Sequence, residues 1–227
     1  MTAPLRLSLN ELSALIKSVF QGCFGHDQDW GEMAERVMWL EARGFGGLDM
    51  LMDVLGEDMT LRGFAGEITA AGDGKSCVID LNGGSLLLGL HICSDIAVDM
   101  AARHGEAKVV IKNARHGSAV LAAVSTCAKF SYPVRALWHE GSAFCEFGAV
   151  APTIYGSEYE GVEIHLGGVF EHKDASATLS GEAVQARYED SLAHGIAVNT
   201  DVYAALNQVA DRFLVEATEA SRKGAGE

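Results

Sequence analysis

Histidine-glycine pairs mark three points in this chain. Ala-Arg-His-Gly occurs at 102–105 and again at 114–117, and Ala-His-Gly recurs at 193–195. His104-Gly105 and His194-Gly195 close helical stretches, where glycine supplies a left-handed C-cap and histidine meets the negative end of the helix dipole. His116-Gly117 stands in another context. It follows the apolar strand pattern Lys108-Val-Val-Ile-Lys112 and precedes a helical stretch at 118–129, in the order Asn113-Ala-Arg-His-Gly-Ser118. A strand-to-helix turn presents backbone amides that bind anions. Asn113, Arg115, His116 and Ser118 add donors at the same point. His116 is the candidate proton donor or acceptor and Arg115 the candidate anion clamp. Asn113, Arg115, Gly117 and Ser118 are the candidate contacts for a phosphate or carboxylate. An ordinary solvated loop is the competing reading.

Other constellations carry weaker signals. In the strand pattern Gly161-Val-Glu-Ile-His-Leu166, Val162, Ile164 and Leu166 share one face, and Glu163 and His165 share the other. A carboxylate beside an imidazole sets its tautomer and raises its pKa, as a general base requires, so this pair is a second choice for catalysis. A solvent-facing polar row is the plainer account. His139-Glu140 and Cys145-Glu146 flank a hairpin pattern. Cys145 becomes a nucleophile only if His139 reaches it, and no spacing rule makes them meet. His91, Cys93 and Asp95 alternate just before a helix from about Ser94, but a metal there needs a remote fourth ligand, and none is assigned.

The elements that must hold these residues follow from periodicity and caps. Ser8-Leu-Asn-Glu11 is a capping box ahead of a helix bearing Leu12, Leu15, Ile16, Val19, Phe20 and Cys23 on one stripe. Further helices are expected from about Gln28 to Arg43, ended by Gly44, and from about Leu48 to Leu55. Strands at 66–70 and 76–81 flank the turn dipeptide Asp73-Gly74. Next come the helix Ser94 to His104, the strand 108–112, the helix 118–129 and a hairpin of 134–139 with 143–147 around Gly141. The strand 161–166 follows, then helices at 181–194 and 201–222, with a fraying tail at 223–227. The pattern predicts an α/β or α+β fold in which an N-terminal helical part, 1–60, packs on a mostly antiparallel sheet covered by helices, 61–227, as one compact unit.

Composition narrows the function classes. The 227 residues are 48% hydrophobic and 21% charged, with a formal net charge of −14, which describes a globular chain. A field this negative repels phosphate, so neither nucleic acid nor an anionic membrane surface is an expected partner. No run of 18 apolar residues exists, and the first twenty residues lack the apolar core of a signal peptide. Five cysteines without a C-x-x-C pair read as buried reduced thiols. A cytoplasmic location is the expectation.

The stretch from Ile96 to Leu121 resembles the type 2 malate/lactate dehydrogenase superfamily, which includes ureidoglycolate dehydrogenases and cyclic-imine reductases. That family has a helix ending in His-Gly, an apolar strand, and an N-S-x-H-F-G turn into a helix. Here the corresponding residues are His104-Gly105, Val109-Val110-Ile111 and Asn113-Ala114-Arg115-His116-Gly117. The opening Leu9-Asn-Glu-Leu-Ser-Ala-Leu-Ile16 and the segment Trp39-Leu-Glu-Ala-Arg-Gly44 resemble its N-terminal helices. The likeness spans about residues 1–150. It implies a two-part fold, a non-Rossmann site for NAD or NADP, and a homodimer. It also implies a catalytic His-Gly after the second helix, with an arginine three residues on. Here Gly46 stands at the histidine position and Met50 at the arginine position, and neither can transfer a proton or clamp a carboxylate. The whole chain, with its ending Glu219-Ala-Ser-Arg-Lys-Gly-Ala-Gly226, also resembles a bacterial family of unassigned function.

Taken together, the expectation is an oxidoreductase-like small-molecule enzyme, or a degenerate one, with its site at 113–118. The alternative is a non-catalytic subunit that binds a protein partner or a metabolite. The loss at Gly46 and Met50 motivates that alternative, as does the apolar stretch Leu48 to Leu55, which suits an interface.

Overall fold

The computed structural model describes residues 4–24, 30–56, 66–128, 130, 132–139, 141–146, 149, 151–156, 159–168 and 177–213. The expected helical residues 214–222, the tail 223–227, Gln28 and Glu140 lie outside them. In chain order the elements are β1 (Leu5–Leu7), α1 (Leu9–Phe24), α2 (Gly31–Glu41), α3 (Gly47–Gly56), β2 (Glu67–Ala70), β3 (Ser76–Asp80) and α4 (Leu86–His104). There follow β4 (Glu106–Lys112), a 3-10 turn (Gly117–Ala122), α5 (Ala123–Ala128), β5 (Val134–Trp138), β6 (Gly141–Cys145), β7 (Thr153–Gly156) and β8 (Val162–Gly167). The chain continues with β9 (Ala177–Leu179), α6 (Gly181–His194), β10 (Ile196–Val198), α7 (Thr200–Ala210) and a second 3-10 turn (Asp211–Phe213).

The eight-stranded sheet has the order β2-β3-β4-β8-β5-β6-β7-β9. Every neighbouring pair is antiparallel except β3 and β4, which run parallel with Ser76 opposite Lys108 and Asp80 opposite Lys112. This is the mostly antiparallel α/β arrangement that the alternating segments imply. Parallel neighbours need a crossover, and α4 provides it. One sheet face is apolar and buried: Cys77 and Ile79, Val109 and Ile111, Val162, Ile164 and Leu166, Val134 and Ala136 all belong to one core with Leu86, Leu90, Cys93 and Ala97 of α4.

Several elements form as their caps dictate. The Ser8 amide donates to Glu11 Oε2 at 2.8 Å, and the Glu11 amide donates back to Ser8 Oγ at 3.2 Å. Past α2, the Gly44 amide reaches the Glu41 carbonyl at 2.9 Å with φ +73°, the left-handed exit that glycine permits. The start of α4 corrects the sequence reading. Leu86-Leu-Leu-Gly-Leu-His-Ile-Cys93 is apolar almost all round, so periodicity does not show which state it takes. Ser85 decides it, accepting from the Leu87 amide at 3.2 Å as the N-cap. His91, Cys93 and Asp95 therefore lie on a helix, not on a strand-to-turn segment. Their spacing turns His91 and Asp95 to one side and the fully buried Cys93 to another.

The N-terminal helices are tied to the C-terminal part of the chain. β1 pairs with β10, Leu5 opposite Val198 and Leu7 opposite Ile196. The Arg43 guanidinium lies between the Trp39 and Tyr188 rings, 4.6 and 4.5 Å from their centroids, and joins α2 to α6. No described helix is long and apolar enough to cross a membrane.

α1 meets α7 so closely at Gly22 that a Cβ added there would fall on the Val209 carbonyl oxygen, whereas one added at Gly56 would meet nothing within 4 Å among the described residues. Gly22→Ala is expected to destabilise the chain by about 1–3 kcal/mol, read as a lowered midpoint of urea unfolding. Gly56→Ala is the control, neutral or slightly stabilising.

Candidate functional site

β3 and β4 end at the same edge of the sheet, and the chain leaves each in a tight loop. The two loops are stitched together. The Gly83 amide donates to the Asn113 carbonyl at 2.8 Å, the Arg115 amide to the Gly84 carbonyl at 3.0 Å, and the Leu86 amide to the Arg115 carbonyl at 2.9 Å. Ser85 and Arg115 form an isolated parallel bridge that prolongs the β3–β4 pairing. Ligands of open α/β sheets bind outside the carboxyl ends of parallel strands, and this is such an edge.

The turn 113–118 sits there in an unusual backbone. Asn113 and His116 have φ of 50° and 55°, a region rare outside glycine. His116 opens the 3-10 turn, and its side chain is only 14% exposed. Its Nδ1 is 2.8 Å from Ser85 Oγ, and its Nε2 is 3.6 Å from Oδ2 of Asp53 on α3. Burial and the neighbouring Arg115 cation hold its pKa below the ordinary imidazole value, while Asp53 pulls the other way. Gly117 presses against β8: a Cβ there would lie 3.1 Å from Val162 Cγ2. Ser118 follows within the same 3-10 turn.

The donors expected at this turn are largely spent within it. Asn113 Nδ2 donates to Asp80 Oδ1 and Oδ2 at 3.0 and 2.8 Å. Arg115 Nε donates to the Gly83 carbonyl at 2.7 Å, which anchors its guanidinium beside His116. The first amides of α4 go to Ser85 and Arg115, as above. A dinucleotide needs donors for two phosphates, and here the Asp80 carboxylate stands among those that remain. The donors of this turn alone do not hold a pyrophosphate, so a dinucleotide would need contacts outside 113–118.

α3 supplies the third wall. Gly46 precedes it with φ +68°, so the position where the resemblance implies a histidine is held in a left-handed backbone that disfavours any side chain. Met50 is partly buried against the core, three residues before Asp53. The charged α3 residue facing His116 is thus a carboxylate.

Glu163 and His165 do meet each other. His165 Nε2 lies 2.6 Å from Glu163 Oε2, and Glu163 Oε1 accepts from the Tyr159 hydroxyl at 2.5 Å and from Lys108 Nζ at 2.9 Å. Burial pushes the Glu163 carboxyl up, but the hydrogen bonds from His165, Tyr159 and Lys108 outweigh it and hold the pKa at about 2. Tyr159 is pushed up to about 12 by burial and by that carboxylate. Glu163 is 5% exposed, while His165 and Lys108 are partly exposed, so the carboxylate is buried beneath donors that reach towards solvent. The alternation of β8 turns the pair to the face opposite Val162, while His116 opens the turn that packs on Val162. The structure therefore separates Glu163 and His165 from His116 by the thickness of the sheet.

The hairpin register likewise separates His139 from Cys145. Cys145 lies opposite Val134, whereas His139 follows Trp138 at the turn. All five cysteines are unpaired, and burial raises the Cys145 thiol. Sequence reasoning missed Ser85, Asp53 and Asp80. Ser85 was within reach, because Gly83-Gly84-Ser85 ahead of an apolar run is a loop-plus-cap signal. Asp53 carries no sequence signal, since only the packing of α3 brings it to His116.

No family profile matches the chain, and no curated protein matches it. Solved structures do. Malate dehydrogenase from Entamoeba histolytica superposes with a TM-score of 0.64 at 9% identity, covering 93% of this chain and 99% of that one. Sulfolactate dehydrogenase from Methanocaldococcus jannaschii gives 0.60 at 9% identity, covering 92% and 97%. Delta1-piperideine-2-carboxylate reductase from Pseudomonas syringae gives 0.57 at 11% identity, covering 90% and 99%. The likeness runs over nearly the whole chain, beyond residues 1–150 where the sequence motifs lie, and at these identities it is one of fold: this chain has the fold of the malate/lactate dehydrogenases and related reductases.

Proposed function

We propose that this chain is a small-molecule enzyme of the oxidoreductase type, with its site at the turn 113–118. His116 meets the reacting carbonyl or imine group, and Arg115 holds a neighbouring anionic group. One observation carries the reading: a nearly buried histidine in a left-handed backbone, bonded to Ser85 and facing Asp53, at the carboxyl end of the parallel strand pair. Strain of this kind costs stability and persists where the surroundings impose it, as at functional sites. The names of the fold neighbours, a malate and a sulfolactate dehydrogenase and an imine-carboxylate reductase, support a substrate of that chemistry. No step is assigned to a dinucleotide, whose phosphates would need contacts outside this turn; NADH and NADPH are the reductants offered in the test.

The second reading is a non-catalytic subunit that binds a metabolite or a partner. Gly46 and Met50 favour it, since they leave the site without the histidine and arginine that the resemblance implies.

The test is turnover of 2-oxo acids and cyclic imino acids with NADH or NADPH as reductant. His116→Ala is expected to lower kcat by about 10²–10⁴-fold in a chain that still folds. Arg115→Ala is expected to raise KM. Absence of turnover on the whole panel, with a partner still captured by His116→Ala, decides for the subunit. A ligand that binds only the folded chain adds about 2.7 kcal/mol at ~100 times its Kd, a melting shift of a few degrees.

The Glu163–His165 pair serves as the internal control. Its carboxyl has a folded pKa of about 2 against an ordinary 4.5, so it stabilises the chain above pH 4.5 and loses that contribution as pH falls towards 2. The shift corresponds to at most about 3 kcal/mol at neutral pH. Glu163→Gln is expected to leave turnover at His116 intact and to lower stability at pH 7, with the deficit closing between about pH 5 and pH 2 in denaturant titrations.

A further inference from the structure

Each ring nitrogen of His116 faces one side chain, and the two differ in kind. Ser85 is 4% exposed, and its oxygen already accepts from the Leu87 amide at 3.2 Å. A hydroxyl has one hydrogen to give. Among the described residues, the acceptor within reach of that hydrogen is His116 Nδ1, at 2.8 Å. With Nδ1 protonated, the ring and the Leu87 amide would both donate to Ser85, and the hydroxyl hydrogen would be left without an acceptor in the interior, which folded proteins avoid. The lone pair therefore belongs on Nδ1 and the ring hydrogen on Nε2. On the Nε2 side Asp53 Oδ2 stands at 3.6 Å, longer than a hydrogen bond, on a side chain that is 73% exposed. That hydrogen points to the accessible side of the ring.

We propose that Ser85 and Asp53 are positioning residues for His116: Ser85 fixes the Nε2–H tautomer, and Asp53 marks the side on which that hydrogen is offered to a carbonyl oxygen or imine nitrogen. The inference rests on the reading of His116 as the residue that meets the reacting group. Its chemical content is directional. The resting ring presents a donor and no lone pair, so it polarises an acceptor and does not act as a base. The charged groups facing the ring are Asp53 on α3 and Arg115 in its own loop, whereas Ser85 on the α4 side is uncharged and the adjoining Gly117 packs on Val162 of β8. Burial and Arg115 favour the neutral ring, and so does the hydroxyl, which bonds well only to an unprotonated Nδ1.

The experiment is ring-nitrogen NMR on the full chain labelled with 15N-histidine, titrated through the neutral range without substrate. Wild type is expected to show His116 with an unprotonated Nδ1 and a protonated Nε2, and a pKa below that of a free histidine. Ser85→Ala is expected to mix the tautomers and raise the pKa, Ser85→Thr to restore both, and Asp53→Asn to keep the tautomer while lowering the pKa further. A protonated Nδ1 in wild type overturns the proposal. So does an unchanged tautomer in a folded Ser85→Ala. Should Ser85→Ala fail to fold after losing the cap of α4, the wild-type spectrum decides alone. Because no substrate is used, a wrong tautomer overturns this inference and leaves the turnover test standing. Absent turnover overturns the functional reading and leaves the tautomer as measured.

Discussion

Five residues of β3 pair in parallel with five of β4, within a sheet whose other pairs are antiparallel, and the site depends on that pairing. Two strands that run the same way end at the same edge, so their exit loops are neighbours. The pairing continues past the strands through Ser85 and Arg115, and the Gly83, Leu86 and Arg115 amides bond across the two loops. Residues 31 apart in sequence, Ser85 and His116, are thereby fixed at hydrogen-bond distance. An antiparallel pair joined by a hairpin would have sent those residues to opposite ends of the sheet.

The same sheet keeps two ionisable networks apart. The core face leads to His116, where burial and a cation favour a neutral ring. The other face carries Glu163, whose charge is favoured by three donors despite its burial. Each network has a carboxylate and an imidazole, but the contact distances differ: 2.6 Å between His165 and Glu163, and 3.6 Å between His116 and Asp53. The tight pair satisfies itself, as a buried ion network must. The loose pair leaves the Nε2 side of His116 without a short partner among the described residues.

What the sequence made legible follows the range of the forces involved. The capping box at Ser8, the turn at Asp73-Gly74 and the whole span of α6 depend on neighbours within a few residues, and each could be read. The first two turns of α4 could not, because Leu86 to Cys93 is buried on nearly every side and shows no amphipathic stripe. The short strands β1, β7, β9 and β10 hold three or four residues each and exist through distant partners, as when Leu5 pairs with Val198. At the site, His116 and Arg115 stood out by type and position. The inward turn of Asn113 onto Asp80 and the approach of Asp53 did not, because both depend on tertiary placement. Glu163 and His165 were paired correctly as neighbours on one strand face, but strand alternation alone could not show which side of the sheet His116 would occupy.

Gly46 limits what the loop before α3 can carry. At φ +68° it occupies a backbone state that a side chain enters only at a cost, and the adjoining Gly47 is pressed on the Val37 carbonyl oxygen. A histidine placed at position 46 would enter that left-handed state at a cost, and a side chain at position 47 would meet the Val37 backbone, so the loop before α3 admits a new side chain only if its backbone is rebuilt.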